Sequence, residues 1–327
     1  MRPLLSELAF ATGLAASVWL LLHLGLHPVG QALSTIGIGG IALVILAHLP
    51  TLIVLALCWW LLAGEAGGSH PVKFVWGRLL RDAGGDLLPF TPLGGYVLGV
   101  RAVVLTGLSG VEAAVSSLLD LFVEQVAKTA YLIAGVLLLI WLAPRSALAV
   151  PALALLGLSV GLLAAVTVRW NWVRERLLKM AARLDLLWPG VGERDRRTVE
   201  AALTAALARR GRIGLGFCLH LLAWCLGAAE VWVALYLLGT PVSYGEAVAI
   251  DGVFAAVRGL AFAVPAAIGV QEGTYVALCG VFGVDGPTAL AFSLVRRARD
   301  LVIGGPAVLI WQFLERKRRT SRPAITS

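Results

Sequence analysis

Long apolar runs dominate the chain, broken at intervals by short polar, glycine-rich or proline-rich stretches. A helix rising 1.5 Å per residue needs roughly 20 apolar residues to cross about 30 Å of hydrocarbon. The pattern predicts full spans near 6–26, 37–62, 112–142, 148–168, 212–238 and 287–314. The first has neither the short apolar core nor the small-residue cleavage site of a signal peptide, and reads as a retained span. Two other apolar segments, 69–110 and 245–286, are interrupted where a span would be continuous. In "LLPFTPLGGYV" Pro89 and Pro92 remove amide donors, and the pair Gly94–Gly95 permits a backbone turn. In "FAVPAAIGVQEGTYV" Pro265, Gly269 and Gly273 are read the same way. Irregular backbone at membrane depth survives only inside protein or along a watery cavity. Both segments therefore read as re-entrant hairpins whose tips meet near the middle of the membrane, with a pair of kinked spans as the alternative.

The interrupted segments resemble each other. A shift of 176 positions (265 − 89) superposes Pro89 on Pro265, Gly107 on Gly283, Gly110 on Gly286, Ala113 on Ala289, Ser117 on Ser293 and Leu118 on Leu294, and sets Glu124 opposite Asp300. The repeat unit is span, hairpin, span. The first copy is 37–142 around hairpin 69–110, and the second is 212–314 around hairpin 245–286. With a cytoplasmic amino terminus the copies run in opposite senses, an arrangement common in transporters, whose substrate sites lie near the midplane between repeats. The expected fold is all-α: a polytopic membrane helix bundle of about six full spans plus two re-entrant hairpins, in one transmembrane domain covering 1–327.

Composition agrees. The 327 residues are 59% hydrophobic and 14% charged, with a mean hydropathy of +0.88, which excludes a soluble globular domain. The formal charge of +8 is topological. Arginine and lysine crowd the segment 169–212 and the tail 315–327, whereas the loops 27–36 and 239–244 have none and 143–147 only Arg145. Basic loops stay in the cytoplasm, so both termini are expected there, in a bacterial inner membrane. This distribution argues against a nucleic-acid partner. Cys58, Cys218, Cys225 and Cys279 form no CxxC pair and read as small buried hydrophobes. His23, His27, His48, His70 and His220 form no HExxH motif, so no metal site is expected.

Charges inside the predicted spans are the candidate chemistry. Asp120, Glu124 and Lys128 recur every four residues and share one face of a helix. Arg296, Arg297, Arg299 and Asp300 occupy the matching depth in the last span, and Glu272 falls at a hairpin tip. A charge near the bilayer centre costs on the order of 3 kcal/mol on the mildest scale, so these groups must be paired or hydrated. They either line a polar substrate site or form an ion-pair network between the repeats, for example through Glu124 and Arg297.

The runs "FVWGRLLRDAGGDLLPFTPLGGYVLGVRA" (74–102), "VPAAIGVQEGTYVALCGVFGV" and "ALAFSLVRRARDL" (264–301) resemble the lysylphosphatidylglycerol-synthase transmembrane-region family. Within it they are most similar to inner-membrane proteins associated with hopanoid biosynthesis. The resemblance implies a bundle related to the lipid-flipping half of the lysyl-lipid synthases. The matching motif positions are Pro89, Gly94, Gly95, Pro265, Gly269, Glu272, Gly273, Arg296, Arg297 and Asp300. Tyr96 departs from it, since relatives often carry a polar or acidic residue after the glycine pair.

The lysyl-transferring members have an additional catalytic domain, and nothing after Phe313 is long enough to be one. The chain also lacks HExxH and GxxxxGK[ST] motifs. The expectation is a lipid transporter, not an enzyme, moving an anionic or polar-headgroup lipid, with no cofactor. A non-catalytic factor for hopanoid or envelope-lipid assembly and an intramembrane lipid-modifying enzyme are the alternatives. The expected partners are membrane lipids, with a homo-oligomer or envelope-lipid biosynthesis proteins as further options.

Overall fold

The computed structural model describes residues 15, 18–19, 22–68, 70–87, 92–169, 171–172, 175, 194–261 and 264–320. Most of the predicted span 6–26, Pro89, and much of the basic segments 169–212 and 315–327 lie outside the described residues.

The described chain is helical throughout. Ten α-helices follow in order: α1 (Leu26–Ala63), α2 (Val72–Asp86), α3 (Pro92–Leu105), α4 (Gly110–Leu142), α5 (Ala149–Val168), α6 (Arg194–Ala208), α7 (Arg210–Leu237), α8 (Tyr244–Leu260), α9 (Val270–Val281) and α10 (Gly286–Thr320). A 3₁₀ turn at Pro265–Ala267 precedes α9. Four of them, α1, α4, α5 and α7, are long and apolar enough to cross a membrane. The protein is a multi-pass membrane protein. With 35 residues α10 is also long enough, but it carries the charges at 296–300.

Residues 27–36, expected as an external loop, are helical, and a break at Gly37 (φ 58°, ψ 178°) separates them from the helix of the predicted span 37–62. Glycine adopts that positive φ without a Cβ clash.

Helix ends follow local chemistry. Ser109 accepts a hydrogen bond from Glu112 N (3.2 Å) while the Glu112 carboxylate accepts from Ser109 N (3.3 Å), closing a capping box on α4. Ser243 and Glu246 do the same for α8. Asp285 accepts from Thr288 N (3.0 Å) at the start of α10.

The helices α2, α3, α8 and α9 have 15, 14, 17 and 12 residues. At 1.5 Å per residue they reach about 18 to 26 Å, short of the hydrocarbon thickness of about 30 Å. They pack as the pairs α2–α3 and α8–α9. Exchanging α1 with α7, α2 with α8, α3 with α9 and α4 with α10 carries most of the packing onto itself. Thus α2 packs on α10 and α8 on α4, α3 on α4 and α9 on α10, α1 on α10 and α7 on α4, and α1 packs on α7.

Apolar contact gives little net drive between helices in lipid, so close approach through small residues matters more. Gly135 of α4 lies against Gly252 of α8: a Cβ at Gly135 would stand 3.3 Å from the Gly252 Cα. A correction follows from the same physics. Gly94 and Gly95 are not at a turn but inside α3, and a Cβ at Gly95 would collide with the Arg81 carbonyl oxygen of α2. Gly95 thus allows the close contact of α3 with α2. Gly273 likewise lies within α9, whereas Gly269 (φ 80°) caps it in the left-handed region.

Candidate functional site

Asp120 and Glu124 project from α4 toward α2, which answers with Arg78 and Arg81. Arg78 donates through Nε to Asp82 (2.9 Å) and through both terminal nitrogens to Glu124 (3.3 Å each). Arg81 donates to Asp120 Oδ2 (2.5 Å), to Glu124 Oε2 and to the Tyr96 hydroxyl (2.6 Å). Its guanidinium also lies 3.8 Å from the centroid of the Tyr96 ring. Tyr96, the departure from the family pattern, is thus a polar and cation-binding partner. His220 of α7 reaches Asp120 Oδ1 through Nε2 at 3.1 Å, with both side chains fully buried.

The second cluster reverses the roles, with arginines on the long helix and acids on its neighbours. Arg296 of α10 donates to Asp251 of α8 (3.0 Å) and to the Tyr275 hydroxyl of α9 (2.7 Å). Arg299 donates to Glu230 of α7 and to Asp300 (2.6 Å). His48 Nδ1 meets the other Glu230 oxygen at 2.8 Å. Asp120 and Arg296 each stand 10 positions after the start of their helix (120 − 110 and 296 − 286), or about 15 Å along the axis, half the hydrocarbon thickness.

A third group holds the hairpin tip. Glu272 accepts from Gly269 N (2.8 Å), closing the first turn of α9. Arg297 pairs with Glu272 and donates to the carbonyls of Ala266 (3.2 Å) and Ala267 (3.5 Å). Those two alanines have φ of 53° and 47°, a strained conformation for residues with a Cβ. The suggested pair of Glu124 with Arg297 is corrected: Glu124 binds Arg78 and Arg81, and Arg297 binds Glu272. Arginines are available on α2, two helical turns before the loop, so Glu124 has no need to reach α10. Between the hairpins, Arg258 of α8 pairs with Asp86 at the end of α2 and also donates to Gln271 Oε1 (3.4 Å).

Of the residues singled out from sequence, Asp120 and Glu124 fall in the first cluster, Arg296, Arg299 and Asp300 in the second, and Glu272, Arg297, Pro265 and Gly269 at the tip. Lys128 stands apart from all three. Sequence reading missed Arg78, Arg81, Glu230, Asp251, His48, His220, Asp86 and Arg258. A signal was present for two of them: Glu230 and Asp251 are acids set within apolar stretches of their helices. The cysteines also need correction. Cys218 and Cys225 are exposed. Cys58, Asp120 and His220 bring one sulfur, one oxygen and one nitrogen donor within 4.8 Å of one another from three helices, a set that sequence spacing could not reveal. Asp120 is already engaged there by Arg81 and His220.

Asp82, Asp86, Asp300 and His48 border a cleft of about 30 Å³ between α1, α2 and α10. That volume holds a water or two and no lipid headgroup. The arrangement is a network of buried, paired charges.

The family model described as the lysylphosphatidylglycerol synthase TM region matches residues 6–306. The chain belongs to that family. This LPG-synthase transmembrane-region protein thereby has a family consistent with a lipid-related role in the membrane. No curated protein and no solved structure matches the chain.

Proposed function

We propose that the protein is a lipid transporter that moves an anionic or polar-headgroup lipid, phospholipid or hopanoid-related, between the leaflets of a bacterial inner membrane. The observation that carries this reading is the pair of buried charge clusters at corresponding depths in α4 and α10, joined across the hairpins by Arg258 and Asp86. A headgroup leaving water must find fixed polar partners, since desolvating it alone costs more than its chains could offset. Buried pairs that can exchange one partner for the headgroup supply them.

The near-symmetric packing of α1–α4 with α7–α10 supports an inverted repeat, and the four short helices support two re-entrant hairpins between six full spans. Basic residues in α6 and at the end of α10 support a cytoplasmic location for both termini. The reading includes no catalytic step. In this reading the cleft, too small for a headgroup, widens during transport as the hairpins part.

Purified protein in liposomes should accelerate movement of a fluorescent anionic phospholipid without ATP, read by quenching of the outer leaflet. Return of chemically altered lipid would favour an enzyme. Absence of any movement, with or without a pH or voltage gradient, would favour a non-catalytic assembly factor.

A further inference from the structure

The buried ion pairs form two networks of the same make-up. In the first, Arg78 and Arg81 are shared among Asp82, Asp120 and Glu124, and His220 closes on Asp120. In the second, Arg296 and Arg299 are shared among Asp251, Glu230 and Asp300, and His48 closes on Glu230. Each network thus holds two arginines, three carboxylates and one histidine. With the histidine neutral the sum is 2 − 3, one negative charge in excess among largely buried groups, where an uncompensated charge is costly. One proton per network removes it. The two histidines differ in access: His220 is fully buried, whereas the His48 side chain is 22% exposed and borders the cleft between α1, α2 and α10. Asp82 of the first network, Asp300 of the second and Asp86 of the pair between the hairpins border the same cleft. These polar groups can satisfy a water there, and chains of carboxylate and histidine carry protons in membrane transporters.

The groups around His48 come from the helices packed on α1. Glu230 of α7 meets His48 Nδ1 through Oε2 at 2.8 Å, while its Oε1 faces Arg299 and Arg296 of α10. Asp82 and Asp86 of α2 and Asp300 of α10 stand around the cleft. On α4, Asp120 and Glu124 are engaged by Arg78 and Arg81. A carboxylate only accepts, so the contact with Glu230 sets the hydrogen of a neutral His48 on Nδ1. A proton arriving from water in the cleft goes to Nε2, and the imidazolium stays paired with Glu230 while the network passes from −1 to 0. Histidine is the side chain whose charge ordinarily changes between pH 5 and 8. We infer that His48, backed by Glu230, is the binding site of a coupling proton taken up through the cleft, and that a proton gradient across the membrane drives the lipid movement proposed above. Loading holds the cleft together. Loss of the proton leaves Asp82, Asp86 and Asp300 repelling one another across it, which favours parting of the hairpins. The coupling rests on the transport reading, but proton binding is measured without transport and the two can fail separately.

Two measurements on the full-length protein test this. In detergent, acid titration against a pH indicator should show His48→Gln taking up about one proton fewer than wild type between about pH 8 and pH 5. In liposomes with the voltage clamped by potassium and valinomycin, an imposed pH difference should shift a fluorescent anionic phospholipid between the leaflets, relative to protein-free liposomes. One proton per lipid sets the limit at about tenfold in the leaflet ratio per pH unit, and reversing the gradient should reverse the shift. His48→Gln should abolish the shift, while His27→Gln, exposed at the start of α1, should keep it. Asp300→Asn balances the network without a proton and should also abolish the shift, which keeps the test decisive if His48→Gln does not fold. Equal proton uptake by wild type and His48→Gln would overturn the proton site. A leaflet ratio that ignores the gradient, or that follows it equally in wild type, His48→Gln and Asp300→Asn, would overturn the coupling. If no lipid moves under any condition, the transport reading fails and the coupling with it, and the proton uptake still decides the site.

Discussion

Arg258, near the end of the second hairpin's first helix, is paired with Asp86, at the end of the corresponding helix of the first hairpin. The two hairpins are thereby joined by one ion pair, with both side chains about 30% exposed. At that exposure the pair contributes at most about 1 kcal/mol to stability, a size suited to a latch that opens. Asp86→Asn should therefore lower thermal stability little, yet change the rate of lipid movement. Exchanging the charges, Asp86→Arg with Arg258→Asp, should restore the wild-type rate more closely than either single change.

Glu230 is 1% exposed and faces Arg299, Arg296 and His48. Neutralising one member of a buried network leaves its partners uncompensated, which costs several kcal/mol. Glu230→Gln should destabilise the protein in detergent by about 3 kcal/mol, measured by thermal unfolding. A loss below about 1 kcal/mol would mean that water fills this cluster.

Arg297 and Glu272 share an ion pair, whereas Arg297 and Glu124 have separate partners. A double-mutant cycle on Arg297→Gln and Glu272→Gln should give a coupling of roughly 1–3 kcal/mol. The cycle on Arg297→Gln and Glu124→Gln should be additive within about 0.5 kcal/mol.

Much of the architecture was legible because bilayer thickness acts on composition directly: the apolar runs that became α4, α5 and α7 were long enough to read. The interruptions at Pro92 and Pro265 were legible too, and short helices flank them. The pairing was not. Glu124 could have met an arginine from several helices, and only the placement of α2 within side-chain reach of α4 selects Arg78 and Arg81 over Arg297. Glycines were ambiguous for a similar reason, because Gly95 within a helix and Gly269 at a turn look alike in sequence. His220 meets Asp120 across 100 positions, a separation over which no local pattern operates.

The two kinds of glycine give a direct contrast. At Gly95 an added methyl meets the backbone of α2, and at Gly273 nothing lies within 4 Å. Gly95→Ala should destabilise by about 1–3 kcal/mol through overpacking. Gly273→Ala, inside α9, should be neutral or gain up to about 1 kcal/mol from helix propensity.

The most direct measurement of lipid passage between the hairpins is transport with the hairpins tied together. In a background lacking Cys58, Cys218, Cys225 and Cys279, Asp86→Cys and Arg258→Cys would be bridged by a short cleavable bifunctional thiol reagent. The protein would then be reconstituted in liposomes with a fluorescent anionic phospholipid. Bridging should stop lipid movement and cleavage of the bridge should restore it, while the unbridged protein transports. Lipid moving at the same rate in the bridged and unbridged protein would contradict passage between the hairpins, and no movement in the unmodified protein would contradict transport itself.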